Sequence, residues 1–266
     1  MPSKKILLNE DDIPKQWYNI VPDLPKPPKV NIIRNLDLSL ALDEKRYEKE
    51  LLTCMAELNL LTRRLYEKRR SVTLVFEGPD AAGKGGAIRR LTAAMDARNY
   101  QHIAVAAPTD EERAHPYLWR FWRNLPRLGR VTIYDRSWYG RVLVERIEGF
   151  CRREDWQRAY AEINAFEEAL TDFGVILIKF WLAISPQEQL RRFKERQGTP
   201  YKQYKITEED WRNRAKWDGY EAAAVELIEK TNTARTPWVL VEATDKNYAR
   251  IKVMKAVVRH LKKELG

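Results

Sequence analysis

A glycine-rich stretch, "FEGPDAAGKGG", holds the residues whose types and spacing best suit a chemical role. Gly78 is followed after four residues by Gly83 and Lys84, the spacing of a loop whose backbone N–H groups surround a phosphate. Small residues let the backbone approach phosphate oxygens closely, and Lys84 would reach the phosphate that is transferred. The predicted phosphate-binding positions of this loop are Gly78, Ala82, Gly83, Gly85 and Gly86.

The residue after the lysine departs from the usual loop. A serine or threonine hydroxyl normally helps to hold Mg²⁺ there, but this chain has Gly85. Two carboxylates are available instead, Asp80 in the loop and Asp135 at the end of the apolar run "RVTIYDRS". An acid at the end of such a strand lies near the metal in many phosphate-loop proteins. We therefore predict that Asp80 and Asp135 hold Mg²⁺ together; an Asx turn at Asp80 and an ion pair between Asp135 and Arg136 are the alternatives.

Basic side chains crowd the segment from 186 to 216. A solvated basic surface is the ordinary explanation for such a run. Its position after the fourth predicted strand favours a lid that closes over phosphates, as in many nucleotide kinases. We place this lid at about residues 186–210. Its predicted phosphate-binding residues are Arg191, Arg192, Lys202 and Lys205.

No side chain stands out as a general base. The three histidines, His102, His115 and His260, are expected to be surface or packing residues. A hydroxyl acceptor benefits from proton removal, whereas a phosphate with a second pKa near ~6 is already a dianion at neutral pH. The sequence therefore favours transfer from phosphate to phosphate, in which positioning, metal and Arg/Lys charge do most of the work.

These side chains need a scaffold, and the hydrophobic pattern predicts an α/β fold. Continuous apolar runs at 71–78, 102–108, 130–137, 174–184 and 237–243 alternate with helical patterns, beginning with an amphipathic helix at 42–69. Such runs are typical of a parallel sheet covered by helices on both faces. One helix is expected at about 207–230. An aromatic stretch at 115–125 predicts a short helix in the core or at a subunit interface, and a homo-oligomer is therefore expected.

Composition narrows the class of partner. The 266 residues carry a formal charge of +10, which attracts nucleic acid, an anionic membrane surface or a phosphate polymer. The two cysteines form no disulfide framework, so a reduced, cytoplasmic location is expected. No apolar run approaches ~18 residues and the N-terminus lacks a signal-peptide pattern, so no membrane span is expected. Residues 1–37 are predicted to form an extended, proline-rich arm.

Five motifs occur in order from about residue 40 to the C-terminus: "EGPDAAGKGGAIRR", "APTDEERAHPYLWRFW", "YDRSWYGRVLVERIEGF", "PYKQYKITEEDWRNRAKWDGY" and "TPWVLVEATDKNYAR". Together they resemble the family-2 polyphosphate kinases, and most closely the C-terminal catalytic half of the class described as polyphosphate:AMP phosphotransferases. The resemblance implies a thymidylate-kinase-like P-loop domain over residues 38–266 with a helical lid. It also implies Mg²⁺ or Mn²⁺, and phosphoryl transfer between inorganic polyphosphate and a purine nucleotide.

The resemblance also assigns roles to particular residues. Catalytic positions implied by it are Asp80, Lys84, Asp135, Arg136 and Arg196, and nucleotide-binding positions are Thr109 and Asp210. Conversion of AMP to ADP is the expected reaction. Members of the AMP-using class often have two fused kinase-like domains and this sequence shows one, so ADP and guanine nucleotides stay open as acceptors. The alternatives are an ATP-dependent nucleoside monophosphate kinase and a non-catalytic polyanion-binding module; neither nucleic acid nor membrane is the expected partner.

Overall fold

The five predicted strands pair in parallel within one sheet. In the computed structural model, which describes residues 10–18 and 24–266, the sheet order is β2-β3-β1-β4-β5. The strands are β1 (Ser71–Glu77), β2 (Tyr100–Ala104), β3 (Val131–Asp135), β4 (Val175–Ala183) and β5 (Trp238–Glu242). The predicted α/β fold with a parallel sheet is confirmed. The second strand begins and ends before the expected bounds of 102–108.

The continuous apolar runs are explained by burial of both faces of the sheet. Successive side chains of a strand point to opposite faces. In β4, Ile178 and Phe180 pack in one hydrophobic core, while Leu177 and Trp181 pack in the other. Every residue of β1 and β4 is buried, so neither strand shows the alternation of a half-exposed strand.

Helices cover the two faces of this sheet. The first core includes side chains from α1 (Glu44–Glu67), α2 (Lys84–Ala93) and α10 (Lys246–Leu265). The second includes side chains from α5 (Val144–Ile147), α6 (Arg153–Asp172) and α9 (Trp217–Thr231). Shorter helices are α3 (Asp110–Arg113) and α4 (Trp119–Trp122), while α7 (Pro186–Gly198), the 3₁₀ turn Pro200–Lys205 and α8 (Glu208–Ala215) follow β4. Among the described helices, none is long and apolar enough to cross a membrane.

The single helix expected at 207–230 was wrong: α8 and α9 are two helices, and Lys216 lies between them. This residue is buried, and its ammonium donates to a Glu148 carboxylate oxygen at 2.7 Å. The aromatic stretch at 115–125 is also less helical than expected, since α4 has four residues. Phe121 in it is buried, whereas Trp122 is half exposed and packs edge-on against Phe166. The expected homo-oligomer stays a prediction.

The predicted arm lies partly outside the described residues, which leave out 1–9 and 19–23. Two short 3₁₀ turns, Glu10–Asp12 and Lys15–Tyr18, occur in the described part. Ile13 and Trp17 pack in a small cluster with Ala81, Phe193 and Trp211. This part of the arm therefore contacts the glycine-rich loop and the helices that follow β4.

Candidate active site

The glycine-rich loop lies between β1 and α2, at the carboxyl edge of the sheet. Gly78 has φ +137°, and a Cβ there would lie 2.4 Å from the Leu182 carbonyl oxygen, so only glycine fits beside β4. Gly83, with φ +109°, begins α2 and exposes the N–H groups of that helix. Ala81, at φ +63°, is a non-glycine residue in the left-handed region. The loop thus has the backbone shape and helix terminus of an anion site.

Two donors from different elements hold the Asp80 carboxylate. Arg136 Nη2 donates to Oδ1 at 2.7 Å and Asn213 Nδ2 donates to Oδ2 at 2.8 Å. Burial acts to raise the pKa of the Asp80 carboxyl, but the charges of Arg136 and Lys84 outweigh burial and hold that pKa below its usual value. Asp80 is therefore a fixed anion inside the loop. Its carboxylate binds two residues from distant parts of the chain, which an Asx turn alone would not require.

Lys84 points back into the loop that carries it. Its ammonium donates to the carbonyl oxygens of Gly78 at 2.6 Å and Pro79 at 3.1 Å, and the residue is buried. These contacts place a positive charge beneath the phosphate-binding backbone, close to Asp80 and Arg136. Arg136 itself has φ +64°, and its N–H donates to the Phe76 carbonyl at 3.0 Å, which fixes it beside β1.

Asp135 ends β3, where its backbone pairs in register with Phe76 of β1. No hydrogen bond or ion pair joins its half-buried carboxylate to the described residues, so its oxygens remain available to a ligand. In the part of the chain that the structure describes, no group of three or more His, Cys, Asp and Glu could hold a metal. Asp80 and Asp135 still suit Mg²⁺, which is usually bound by one or two carboxylates plus substrate phosphates.

A third acid, Glu77, was missed by sequence reasoning. It is buried at the end of β1 and accepts a hydrogen bond from Ser137 Oγ at 2.8 Å. Burial raises the pKa of Glu77 to about 7, although Ser137 and the nearby Lys84 charge act against that rise. A charged residue at the end of an otherwise uncharged, β-rich run was the signal that could have identified it.

An apolar cleft of about 110 Å³ opens on one side of the loop. Gly78, Pro79 and Asp80 form part of its wall. Other side chains that line it are Ile33, Leu143, Val144, Trp181, Asn213, Trp217, Tyr220 and Glu221. Flat aromatic and aliphatic groups dominate, with Arg136 and Asp80 at the loop, which is the usual character of a small-molecule site with a few fixed polar groups.

A basic cleft of about 280 Å³ opens against the next residues of the same loop, Ala81 to Gly83. Its basic lining residues are Arg192, Arg196, Lys202, Lys205, Lys246 and Arg250. Glu195 is the acid among its lining residues, and it accepts from Lys202 at 2.7 Å. The cleft is therefore strongly positive and suits an extended anion.

The structure separates the predicted basic residues by environment. Arg196, Lys202 and Lys205 line the basic cleft. Arg191 is exposed and forms a bidentate pair with Glu188 at 2.7 Å, outside the lining of this cleft.

Arg192 lines the cleft but is buried, and its contacts are internal. Its guanidinium donates to Glu188 and to the carbonyls of Ala81, Ala82, Ala243 and Thr244, at 2.6–3.0 Å. A guanidinium has five N–H groups, which this set of partners occupies. The geometry therefore favours a structural role for Arg192, tying α7 to the loop and to the start of α10.

The two predicted nucleotide-binding residues both cap helices. Thr109 is exposed at the start of α3, exchanges hydrogen bonds with Glu112, and lines neither cleft. Asp210 accepts from the N–H and hydroxyl of Thr207 at 2.8 and 2.9 Å, which caps α8. Burial, followed by the charge of Asp80, raises the pKa of Asp210. Asp210 thus lies electrostatically near the loop, and Thr109 does not join the site.

The clefts also include lining residues that were not expected from the sequence, and four of them are informative. Ile33, from the predicted arm, and Asn213 border the apolar cleft, while Lys246 and Arg250 border the basic one. Lys246 and Arg250 lie four residues apart near the start of α10, so they share one face of the helix. That i,i+4 basic pair was visible in the sequence, whereas the contact of Ile33 depends on long-range packing.

The fold and site together define a phosphate-loop protein of kinase-like α/β architecture with an anion-binding loop between two clefts. The family model for Polyphosphate kinase 2 (PPK2) matches residues 41–265. The chain belongs to the polyphosphate kinase 2 family.

Individual relatives agree with this assignment. The chain is 57% identical over 226 residues to a Pseudomonas aeruginosa protein named polyphosphate:AMP phosphotransferase, covering 85% of this chain and 46% of that protein. It is 37% identical to a Rhizobium meliloti protein named ADP-polyphosphate phosphotransferase 2, and the match covers 85% of this chain and 72% of that protein. The crystal structure of polyphosphate kinase 2 from Arthrobacter aurescens superposes with a TM-score of 0.84 at 33% identity, covering 90% and 88%. The chain spans about half the length of the Pseudomonas relative.

Proposed function

We propose that this chain transfers a phosphoryl group between inorganic polyphosphate and AMP, forming ADP. One observation supports the proposal above the others: consecutive residues of a single loop line two clefts of opposite character. Gly78, Pro79 and Asp80 face the apolar cleft, and Ala81, Ala82 and Gly83 face the basic cleft. Two ligands bound in these clefts would bring their phosphates together at the loop.

The basic cleft suits the polymer donor. A long polyphosphate carries about one negative charge per phosphate and gains from several cations along its path. Arg196 lies on α7, Lys202 and Lys205 on the following turn, and Lys246 and Arg250 on α10, so the positive charge comes from three separate elements. A short anion could not reach all of them at once.

The apolar cleft suits the nucleotide acceptor. A purine base is flat and largely apolar on its faces, and Trp217, Tyr220 and Leu143 offer aromatic and aliphatic surface. Arg136 borders the same cleft beside Asp80 and is placed to meet the acceptor phosphate. The phosphate is already a dianion near neutral pH, so this assignment needs no general base.

The side chains at the loop would act by charge and position. Lys84 and the N–H groups at the start of α2 would stabilise charge on the transferred group, and Arg136 would orient the acceptor. We propose that segment 186–210 acts as the lid, with Arg196 moving to the transferring phosphoryl group when it closes. In the structure Arg196 donates to the Lys205 carbonyl at 3.1 Å, a surface contact that can be exchanged.

Asp80 and Asp135 would hold Mg²⁺ or Mn²⁺ when the metal enters with a phosphate ligand. When bound, the metal would neutralise part of the negative charge on the donor and acceptor phosphates. Asp135 has free carboxylate oxygens with respect to the described residues, and each Asp80 oxygen carries one donor and keeps a lone pair. We expect Asp135→Asn to raise the Mg²⁺ concentration for half-maximal rate at least tenfold. An unchanged Mg²⁺ requirement would remove Asp135 from the metal site.

The names of the relatives support AMP as acceptor and leave ADP open. The Pseudomonas protein is named for AMP, and the more distant Rhizobium protein is named for ADP. The direct test is product analysis by ion-exchange chromatography after incubating the chain with polyphosphate and AMP, ADP, GMP or GDP, each without ATP. ADP formed from AMP supports the proposal. Phosphorylation of AMP only when ATP is supplied would favour an ATP-dependent kinase, and binding of polyphosphate without any product would favour a polyanion-binding module.

A further inference from the structure

A line of hydrogen bonds runs from the glycine-rich loop into the helices that follow β4. Asn213, on α8, donates from Nδ2 to Asp80 Oδ2 at 2.8 Å. Its Oδ1 accepts from the Tyr220 hydroxyl at 3.0 Å. Tyr220, on α9, has one hydroxyl proton, and Glu148 Oε1 at 3.2 Å shares it as a second acceptor with Asn213. The line joins the loop, the end of α5 and the adjacent helices α8 and α9.

Glu148 anchors the far end of this line. It is buried, and its Oε2 accepts from the buried Lys216 ammonium at 2.7 Å and lies 3.0 Å from Arg212 Nε. The two cations hold the carboxylate in one orientation and leave Oε1 facing the Tyr220 hydroxyl. Glu148, which does not line the apolar cleft, therefore helps to fix the position of the Tyr220 hydroxyl.

The amide of Asn213 has a single favourable orientation between these partners. Its oxygen would be repelled by the ionised Asp80, so the NH₂ group faces Asp80 and the oxygen faces Tyr220. Charge balance favours an amide at this position, because it donates to Asp80 without adding a third cation to Arg136 and Lys84.

The backbone of the loop is held separately from its carboxylate. Gln189 Nε2 donates to the Asp80 carbonyl at 3.1 Å, and Arg192 donates to the carbonyls of Ala81 and Ala82. Removing Asn213 would therefore free one oxygen of the Asp80 carboxylate, whose other oxygen Arg136 still holds, and leave the loop backbone in place.

We propose that Asn213 is a positioning residue for Asp80, and that Tyr220 and Glu148 orient its amide. Asp80 is then held from two sides, by Arg136 beside β3 and by Asn213 on α8. The Asp80 carboxylate adopts the reactive orientation only when α8 packs against the loop and Asn213 reaches it. A movement of α8 would therefore change the orientation of Asp80. This inference rests on the proposed function for its kinetic test.

The kinetic test is a double-mutant cycle on Asp80 and Asn213. We expect Asn213→Ala to lower kcat for ADP formation about tenfold or more, the size of a hydrogen bond to a charged group, with the Michaelis constant for AMP changing less than about threefold. In an Asp80→Asn background the same substitution should change kcat less than about twofold, because its route of action is already lost. Asn164→Ala, which removes an amide contact to the Lys230 carbonyl outside both clefts, serves as the matched control and should leave kcat unchanged.

A second readout tests the contact without catalysis. Asn213→Asp places two carboxylates together and should lower the Tm of the ligand-free chain, and adding Asp80→Asn should restore the lost Tm by rebuilding an amide–carboxylate pair. Tyr220→Phe, which removes a single hydroxyl, should lower kcat in the wild-type background and have little effect beside Asn213→Ala. Equal kcat losses from Asn213→Ala in both Asp80 backgrounds, or no Tm recovery in the exchanged pair, would overturn the proposal. If the wild type forms no ADP, the proposed function fails, and the Tm cycle alone decides the contact.

Discussion

Substitution of Arg250 provides a quantitative test of the basic cleft. Arg250 lines the cleft from α10 and lies beside the loop, with its guanidinium 3.9 Å from where a Cβ on Gly86 would be. If the cleft holds polyphosphate, Arg250→Ala should remove one phosphate contact and reduce the salt dependence of the polyphosphate Michaelis constant. Arg259→Ala is the matched control, because Arg259 is exposed on the same helix and does not line the cleft.

The expected magnitude follows from the number of cations available to the polymer. Leaving out Arg192, whose donors are occupied, the cleft offers Arg196, Lys202, Lys205, Lys246 and Arg250. At ~0.7 released ions per contact, these five give a slope of about −3.5 for log affinity against log salt. Raising salt from ~50 to ~200 mM should then increase the polyphosphate Michaelis constant about 100-fold in the wild type and about 50-fold in Arg250→Ala.

The assay is an initial-rate measurement of ADP formation at fixed saturating AMP, with long polyphosphate and with tripolyphosphate at each salt concentration. The short donor reaches fewer cations and should show a shallower slope. The Michaelis constant for AMP, measured at saturating polyphosphate, should change only a few-fold. Equal slopes for wild type and Arg250→Ala, or equal slopes for polyphosphate and AMP, would refute the assignment of this cleft to the polymer.

Three further predictions concern other parts of the site. Ile33→Ala should raise the Michaelis constant for AMP several-fold, because it removes apolar surface that covers the base. The neighbouring Ile32 is exposed and does not line the cleft, so Ile32→Ala should leave this constant unchanged. Equal effects of the two substitutions would exclude a contact between Ile33 and the base. Burial raises the pKa of Glu77 to about 7 from 4.5, so protonated Glu77 stabilises the fold fully below pH 4.5, and this contribution is lost as pH rises through 7. Urea denaturation should show the free energy of unfolding of the wild type falling by on the order of 3 kcal/mol over this range from this group, and Glu77→Gln should lack that fall. The same pH dependence in Glu77→Gln as in the wild type would refute the prediction. Arg192→Ala should lower the free energy of unfolding by about 3 kcal/mol or more. Arg196→Ala should change that free energy by less than about 1 kcal/mol and lower kcat at least tenfold. The reverse pattern would mean that Arg196 is the structural residue and Arg192 the catalytic one.

Most of the sheet could be predicted from the sequence because β1, β3, β4 and β5 are largely buried. Their apolar runs are continuous, so β1, β3, β4 and β5 are evident without knowledge of the fold. The edge strand β2 is half exposed, with His102 and Ala104 exposed, and its bounds were placed late. The break between α8 and α9 was missed; the residue at the break, Lys216, pairs with Glu148, 68 residues away in sequence, and such a long-range contact leaves no local signal.

The loop was predictable because its chemistry is local. Gly78, Gly83 and Lys84 act within seven consecutive residues, and their spacing alone indicates a phosphate site. The partners of the loop were not predictable in the same way. Asn213 reaches Asp80 across 133 residues, and a lone asparagine in a basic segment gives no sign of that contact. Charge alone also could not separate the buried Arg192 from the cleft residue Arg196, since only packing distinguishes them.

The two-cleft arrangement is the central claim, and a crystal structure of the chain with adenosine 5′-thiophosphate and a short polyphosphate tests it most directly. We predict base density in the apolar cleft against Ile33 and Trp217, anomalous density from the thiophosphate sulfur beside Arg136, and a chain of phosphates between α7 and α10 that ends at the loop. A nucleotide base in the basic cleft, or both ligands on the same side of the loop, would contradict the account.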